Sequence, residues 1–358
     1  MLQATTPATT ARPRALSNWL LFVAASIVLI VVVGGITRLT ESGLSITQWK
    51  PITGIVPPLN DAQWQAEFAN YRRIPQYALT NAGMGLAGFK AIFFWEYLHR
   101  FMGRFIGMAY LVPLIWFAVR RQIPHGYGVR LIALFSLIVL QGTLGWLMVR
   151  SGLSDRTTVA PGWLATHLLT ALFTLAGMVW TALDLRAMAR SPESRPARMT
   201  GLAAIVGIVL FVQILYGALM AGLRAGLVAQ DWPLMNGAFF PGASQSGESP
   251  GTMLFGDPAI VHFIHRWWAW AAVAGLILLA RAVKRTGHRP AAVAIHIAFG
   301  VQILLGIATV MSGVSIPLAA LHQLGGALLL VAATIGAHAL GRRDHMVSQY
   351  PSGNPRKA

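Results

Sequence analysis

Four histidines occupy matching places along this 358-residue chain, and their side chains can bind metal ions or carry protons. They are His99, His167, His265 and His322. Each lies about one turn inside one end of an apolar segment, so all four are predicted at a similar depth. An ionisable residue in a segment that could cross a membrane is a candidate functional residue. The repetition, with two histidines in each half, predicts two sites that each contain a facing pair of imidazoles.

Two imidazoles suit a haem iron better than a zinc ion. Zinc usually takes a third or fourth protein ligand, and each half lacks a cysteine or a second acid that could supply one. Haem iron needs only two axial ligands, and helix bundles commonly hold such cofactors in their cores. Arg100 and Arg266, each next to a histidine, are predicted contacts for haem propionates. Snorkelling towards the membrane interface is the alternative interpretation of these two arginines.

One acidic residue distinguishes the two predicted sites. Glu96 lies three residues before His99, on the same helix face, and the corresponding residue of the second half is His262. A carboxyl group that faces the pocket could act as a base or proton carrier. A carboxyl group at a helix start would only stabilise the helix end. The first interpretation predicts one reactive pocket and one electron-transfer pocket.

The composition predicts an all-α polytopic membrane protein. Hydrophobic residues make up 55% of the chain and charged residues 11%, whereas soluble domains carry about 25% charged residues. The net charge of +17 is spread over short clusters rather than gathered in one patch, which argues against a nucleic-acid partner. A span needs roughly 20 apolar residues. Eight spans are predicted, at residues 16–36, 97–119, 129–149, 163–185, 201–221, 261–280, 291–311 and 319–340.

Basic residues predict the direction in which these spans cross. Most lysines and arginines lie in the two terminal segments and in the connections that follow the second, fourth and sixth spans. The positive-inside rule then places both termini in the cytoplasm. The expected location is the cell inner membrane. The first span is too long for a cleavable signal peptide. The two longest loops, residues 37–95 and 222–259, would face outward and are expected to contain partial helices at the membrane surface.

The two halves of the chain share an internal repeat. Gly34 recurs as Gly217, and Gln141-xxx-Gly145 recurs as Gln302-xxx-Gly306. Each odd-numbered span ends in a small residue and a glycine, which predicts left-handed helix caps. The repeat predicts two four-helix bundles related by a pseudo-twofold axis along the membrane normal. The expected divisions are a tail at 1–15, a first half at 16–190, a linker at 191–199, a second half at 200–340 and a tail at 341–358.

Taken in order, these motifs resemble the haem A synthase family. The matching segments, within residues 16–340, are Glu96-Tyr-Leu-His99-Arg100, Ala165-Thr166-His167-Leu168, His262-Phe-Ile-His265-Arg266 and Leu321-His322-Gln323. One class of this family has paired cysteines in its outward loops. The present chain contains no cysteine and therefore resembles the class found in Gram-negative bacteria and mitochondria.

The resemblance implies oxidation of the C8 methyl group of haem O to the formyl group of haem A. By residue match, His265 and His322 would ligate a resident haem b, His99 and His167 would hold haem O, and Glu96 would be the catalytic residue. If both histidines bind the substrate iron, no coordination position is left for dioxygen, so water would supply the oxygen and Glu96 would take the protons. Release of one histidine would reopen an oxygen-activating route. Implied partners are haem O, haem O synthase and an electron acceptor such as a quinone, with an oligomer left open.

Two other functions stay open on the sequence alone. A di-haem electron-transfer protein of the quinol-linked cytochrome b type would need the same histidines but no Glu96, and would leave haem O unchanged. A transporter could share the pseudo-symmetry without binding haem. The near absence of charges at the centres of the spans argues against the transporter.

Overall fold

The computed structural model describes residues 11–240, 242–243 and 249–349, with side chains described as far as residue 342. Over these ranges the chain forms eleven α-helices and no β-strand longer than an isolated bridge. Three helices are short: α2 (Asp61–Tyr71), α3 (Pro75–Leu79) and α8 (Pro250–Gly256). The other eight are α1 (Pro13–Leu39), α4 (Leu86–Val119), α5 (Gly128–Arg150), α6 (Pro161–Arg190), α7 (Gly201–Leu223), α9 (Pro258–Arg285), α10 (Arg289–Met311) and α11 (Ile316–Gln349).

These eight helices are long and apolar enough to span a membrane. The predictions of an all-helical fold and of eight spans are therefore confirmed for the described residues. Seven of the helices begin within three residues of the predicted starts. The chain is a multi-pass membrane protein, in which helices satisfy their own backbone hydrogen bonds inside the bilayer.

The predicted start of the second span was wrong. Helix α4 begins at Leu86 rather than at residue 97, because its first turns pack against the loop of residues 37–95 instead of lipid. This loop is called the outer loop after the side on which the topology prediction places it. Phe89 and Phe93 on this extension are buried against Phe68 and Tyr71 of the loop helix α2. Glu96 is consequently about three turns inside a continuous helix. This position rules out its interpretation as a helix-start charge.

The glycine caps were predicted correctly at only one of four helix ends. Gly313 has a positive φ of 67°, but the backbone at Gly43, Gly152 and Gly226 stays out of the left-handed region. The last two glycines serve close packing instead. At either of them an added Cβ would lie 2.9 Å from a methyl group of a neighbouring leucine or valine.

The helices pack as two groups that also contact one another. Helix α1 packs against α4 and α6, and α5 packs against α6; helix α9 packs against α7 and α10, and α10 packs against α11. One cluster of buried apolar residues draws almost entirely on the first four spans, and a second draws only on the last four. Contacts between the groups are made by α6 with α7, by α1 with α11 and by α6 with α11.

Charged residues join the two groups at both ends. Arg224, which follows α7, forms an ion pair with Glu41, which follows α1. The two residues are equivalent in the internal repeat, and both have left-handed backbones, with φ of 53° and 56°. At the other end, Asp184 of α6 accepts a hydrogen bond from His338 Nε2 of α11 at 2.9 Å.

The outer loop of residues 37–95 contains partial helices, as predicted, and is held by a buried polar cluster. Gln76 is 1% exposed. Its Nε2 donates to the Glu41 carbonyl oxygen at 2.9 Å, and its Oε1 accepts from the Tyr71 hydroxyl at 3.1 Å. Burial raises the pKa of the Tyr71 hydroxyl, so this group stays protonated and remains a donor at neutral pH.

Replacement of Asp184 should destabilise the fold. Its completely buried carboxylate also accepts from Arg130 Nη1 at 2.7 Å and from the Ala197 backbone N–H at 2.8 Å. Asp184→Asn supplies one acceptor oxygen where three donors need partners. A buried donor left without a partner typically lowers the free energy of unfolding by about 1–3 kcal/mol. We expect a lower midpoint of thermal unfolding in detergent. The control is Asp155→Asn in an exposed loop; equal midpoints for the two variants would contradict the structural role.

Candidate functional site

Each of the four histidines lies against a glycine of the neighbouring odd-numbered span. The contacts join His99 to Gly34, His167 to Gly145, His265 to Gly217 and His322 to Gly306. A Cβ added at these glycines would lie 3.0, 3.2, 2.9 and 2.9 Å, respectively, from the nearest imidazole atom. All four glycines belong to the internal repeat. The repeat therefore provides space for a ring inside each helix–helix contact.

The structure brings the histidines together in the predicted pairs. The ring centres of His99 and His167 are 6.4 Å apart, with an angle of 61° between the planes. The imidazoles of His265 and His322 lie within electrostatic reach of each other. Two metal–nitrogen bonds of about 2 Å, with about 1 Å more from each nitrogen to its ring centre, would separate two ring centres by roughly 6 Å. The first pair is therefore spaced as two axial ligands of one iron would be.

Ring nitrogens in both pairs are buried and unpaired. Nδ1 of His167 and Nδ1 of His322 have no hydrogen-bond partner among the described residues. Nδ1 of His265 lies 3.2 Å from both the carbonyl oxygen and the side-chain Nε2 of Gln213. Nε2 of His322 lies 3.4 Å from Nε2 of Gln302. If Nδ1 of His265 donates to the carbonyl oxygen, its Nε2 is free to bind a metal. The unpaired ring nitrogens of His167 and His322 leave in each pair one atom that a metal ion could satisfy, which fits a haem iron.

Three glutamines hold the backbones of three of these histidines. The side-chain Nε2 donates to the histidine carbonyl oxygen at 2.8 Å for Gln141 and His167, at 3.1 Å for Gln213 and His265, and at 3.0 Å for Gln302 and His322. Sequence reasoning found the Gln-xxx-Gly motifs at residues 141 and 302 but missed the third. The signal was present, because Gln213 precedes Gly217 at the same spacing.

Glu96 is buried and bound by the outer loop. Its Oε2 accepts hydrogen bonds from the Ser45 hydroxyl and from the Ile46 backbone N–H, both at 2.7 Å. Its Oε1 accepts from Arg100 Nη2 at 2.6 Å and from Nε at 3.1 Å. The side chain is 3% exposed. The carboxylate therefore fixes the loop onto α4, one turn from His99.

Arg100 and Arg266 occupy equivalent positions and make equivalent contacts. Nη2 of Arg100 donates to the Ile46 carbonyl oxygen at 2.7 Å, and Nη1 of Arg266 donates to the Leu234 carbonyl oxygen at 2.7 Å. Nη2 of Arg266 also lies 3.0 Å from Nε2 of His262, the counterpart of Glu96. Each arginine thus ties an outer loop to the helix that carries a histidine. Their predicted contacts with propionates stay a prediction.

A cavity of about 330 Å³ lies between the outer loop and α4. Arg100, Tyr97, Glu67 and Arg104 are among the residues that line it. Nη1 of Arg104 is buried and has no hydrogen-bond partner among the described residues. Sequence reasoning missed Arg104, although it lies one helical turn after Arg100.

Comparison with known proteins identifies the family. Residues 17–334 match the COX15-CtaA family model, described as cytochrome oxidase assembly protein. A protein of Sphingopyxis alaskensis named Heme A synthase is 55% identical over 333 residues, which cover 93% of this chain and 94% of that protein. A protein of the same name from Erythrobacter litoralis is 54% identical over 91% of this chain and 97% of its own length. Another, from Novosphingobium aromaticivorans, is 52% identical over 94% of this chain and 98% of its own length. The chain therefore belongs to the COX15-CtaA family of cytochrome oxidase assembly proteins.

Proposed function

We propose that this chain is a haem A synthase, which oxidises the C8 methyl group of haem O to a formyl group. The observation that carries the proposal is the two pairs of half-buried histidines, each ring packed against a glycine, in an eight-span chain. Relatives more than half identical over nearly the whole chain bear the name Heme A synthase. This naming favours the synthase over the di-haem electron carrier.

The proposed assignment gives the two pairs of histidines different tasks. His99 and His167 bind the iron of haem O, the substrate. His265 and His322 hold haem b, which when bound supplies one-electron transfer. The 6.4 Å spacing of the first pair and the buried, unpaired Nδ1 of His322 support these roles. Beside the second pocket His262 stands in the place of Glu96.

The overall reaction must remove electrons and protons from the substrate methyl group. Conversion of the methyl to a hydroxymethyl group takes up one water and releases two electrons and two protons. A second oxidation of the same kind gives a geminal diol, and loss of one water leaves the aldehyde. Glu96 is the proposed acceptor of these protons, because it is the buried carboxylate one turn from His99. The electrons go to an acceptor in the bilayer, for which a quinone is chemically suited.

The propionates of haem O are proposed to lie towards the outer loop. Arg100 borders the cavity there, and Arg104 has a buried N–H donor left without a partner. Guanidinium groups form strong paired hydrogen bonds with carboxylates. Arg266 would serve the propionates of haem b in the second half, where it lines the equivalent loop.

The proposed architecture is two four-helix bundles related by a pseudo-twofold axis, residues 16–190 and 200–340, joined by the linker at 191–199. The two separate clusters of buried residues and the contact between the equivalent residues Glu41 and Arg224 support it. We place both termini in the cytoplasm and the protein in the cell inner membrane. The proposed tails, 1–15 and 341–358, lie largely outside the described residues. Haem O synthase is a proposed partner, because it would deliver the substrate. An oligomer of this chain is compatible with the exposed apolar faces of the spans.

The proposed topology can be tested with a reporter fused after Ala358. A fluorescent protein that matures only in the cytoplasm should be active at this position, and alkaline phosphatase should be inactive. The reason is the excess of basic residues in the terminal segments and in the connections on the same side. Phosphatase activity would reverse the orientation and would move the histidines to the cytoplasmic end.

The second-half histidines should be required for resident haem b. His265→Ala or His322→Ala removes one axial ligand, so we expect loss of the low-spin haem b absorption from the purified protein. The control is His296→Ala in α10, because Nδ1 of this imidazole lies 2.8 Å from the Ala292 carbonyl oxygen of the same helix and is therefore already partnered. A full complement of low-spin haem b in both test variants would refute the assignment.

Glu96→Gln should retain both haems and make little haem A. The amide cannot take up a proton in the same way, and loss of a positioned proton acceptor typically lowers the rate by about 10²–10⁴. Haem types extracted from the cells would be separated by chromatography, and haem O or a hydroxylated intermediate should accumulate.

Ser45→Ala is the matched control for Glu96→Gln, because it removes one hydrogen bond to the same carboxylate and keeps the carboxyl group. This variant should still produce haem A. If a stable Glu96→Gln protein makes near-normal amounts of haem A, the role of Glu96 is to hold the loop and not to accept protons. Equal loss of activity in both variants would also support the purely structural role.

A further inference from the structure

The three glutamine contacts described above form a pattern with one exception. At three places a glutamine lies four residues before the glycine that supports the histidine ring, and its amide donates to that histidine's backbone carbonyl oxygen. Before Gly34, the glycine that supports His99, the corresponding residue is Ile30. Isoleucine cannot donate a hydrogen bond, so the carbonyl oxygen of His99 lacks this contact.

The exception lies in one pocket only. The pair His265 and His322 is held by two glutamines, whereas of the pair His99 and His167 only His167 is held. Helix α4 is not loose as a whole, since Ser45 and the Ile46 backbone N–H of the loop both donate to Glu96, one turn before His99. The Thr37 hydroxyl of α1, which donates to the Val33 carbonyl oxygen at 2.8 Å, also lies 3.2 Å from the Trp95 carbonyl oxygen of α4. What is missing is the contact at the histidine itself.

The ring of His99 presents Nε2 and Cδ2 to its glycine, whereas the other three rings present Cε1 and Nδ1, which is a half-turn of the imidazole about its Cβ–Cγ bond. Interhelical hydrogen bonds from polar side chains stabilise membrane helix contacts modestly, and groups in the second shell of a metal site orient the ligand. A histidine without such a contact is the ligand that can turn or withdraw most readily.

We propose that Gln141, Gln213 and Gln302 are positioning residues for three axial ligands, and that His99 is the exchangeable ligand through which haem O enters and the product leaves. The proposal rests on the proposed function, because it assigns exchange to the substrate pocket. A substrate must leave after each turnover, whereas a resident cofactor must stay. Both histidines of the second pocket are held by a glutamine, so this pocket retains its haem. Only one histidine of the first pocket is held, so this pocket can release its haem.

The sharpest test installs the missing glutamine. Ile30 lies against Gly103, four residues after His99, with 3.8 Å between Ile30 Cδ1 and a Cβ added at this glycine. In the second half Gln302 lies similarly against Gly326, four residues after His322, so a glutamine fits beside a glycine there. Ile30→Gln should therefore reach the His99 carbonyl oxygen. Ile30→Met, of nearly the same shape but without an amide, is the matched control.

The measurement is the rate at which each haem leaves the protein. Protein purified with haem b and loaded with haem O is mixed with excess apomyoglobin, and the haem types that remain are separated by chromatography at intervals. Ile30→Gln should slow the loss of haem O by about three- to tenfold relative to Ile30→Met. The loss of haem b should be the same in both, and kcat should fall without a rise in KM.

The converse variants remove an existing contact. Gln302→Met should accelerate the loss of haem b about three- to tenfold and leave the loss of haem O unchanged, and Gln141→Met should do the reverse. If Ile30→Gln fails to fold, as judged by its haem b content and gel filtration, these variants decide the question. Equal haem O loss from Ile30→Gln and Ile30→Met, or wild-type haem b loss from Gln302→Met, would overturn the proposal.

Failure of the two proposals can be told apart. If the wild-type protein makes no haem A but the exchange rates follow the glutamines, the positioning role stands and the proposed function falls. If the wild-type protein makes haem A and the exchange rates ignore the glutamines, the proposed function stands and the positioning role falls.

Discussion

An imidazole that lies inside a contact between two helices needs a facing residue with no side chain, and this requirement governs the arrangement of the spans. Each histidine ring fills the volume that a glycine leaves empty, at a distance where even a methyl group would be too close. The odd-numbered and even-numbered spans can therefore approach closely while their rings reach the interior of each half. Nδ1 of His167 and Nδ1 of His322 are buried without a partner among the described residues, which leaves them to be satisfied by a ligand. Glycines and histidines thus form one structural unit, repeated four times.

Differences between the two halves are confined to residues around this common unit. Glu96 and His262 occupy the same place, and each contacts the arginine four residues further along its helix. Gln213 and Ile30 likewise occupy equivalent places but differ in their ability to donate a hydrogen bond. A few side chains can therefore give two nearly identical pockets different tasks, because the backbone frame and the ring positions are shared.

Residue types and their spacing predicted much of this structure. The apolar segments predicted the number of spans, and the recurrence of histidine at one depth, twice in each half, predicted which imidazoles would lie close together. The start of α4 could not be predicted, because its first turns are buried by the loop helix α2, a contact between residues distant in sequence. The partners of Glu96 were hidden for the same reason, since Ser45 and Ile46 reach it from the outer loop. The glycine caps were mispredicted because a glycine before a loop can serve backbone conformation or close packing equally well.

The ion pair between Glu41 and Arg224 has a consequence for how such a repeat assembles. The two residues are equivalent, so a half paired with a copy of itself would bring two glutamates or two arginines together at this contact. Like charges in one contact repel, whereas the mixed pair attracts. Opposite charges at one symmetric position therefore select the pairing of unlike halves within a single polypeptide and disfavour the symmetric dimer of either half.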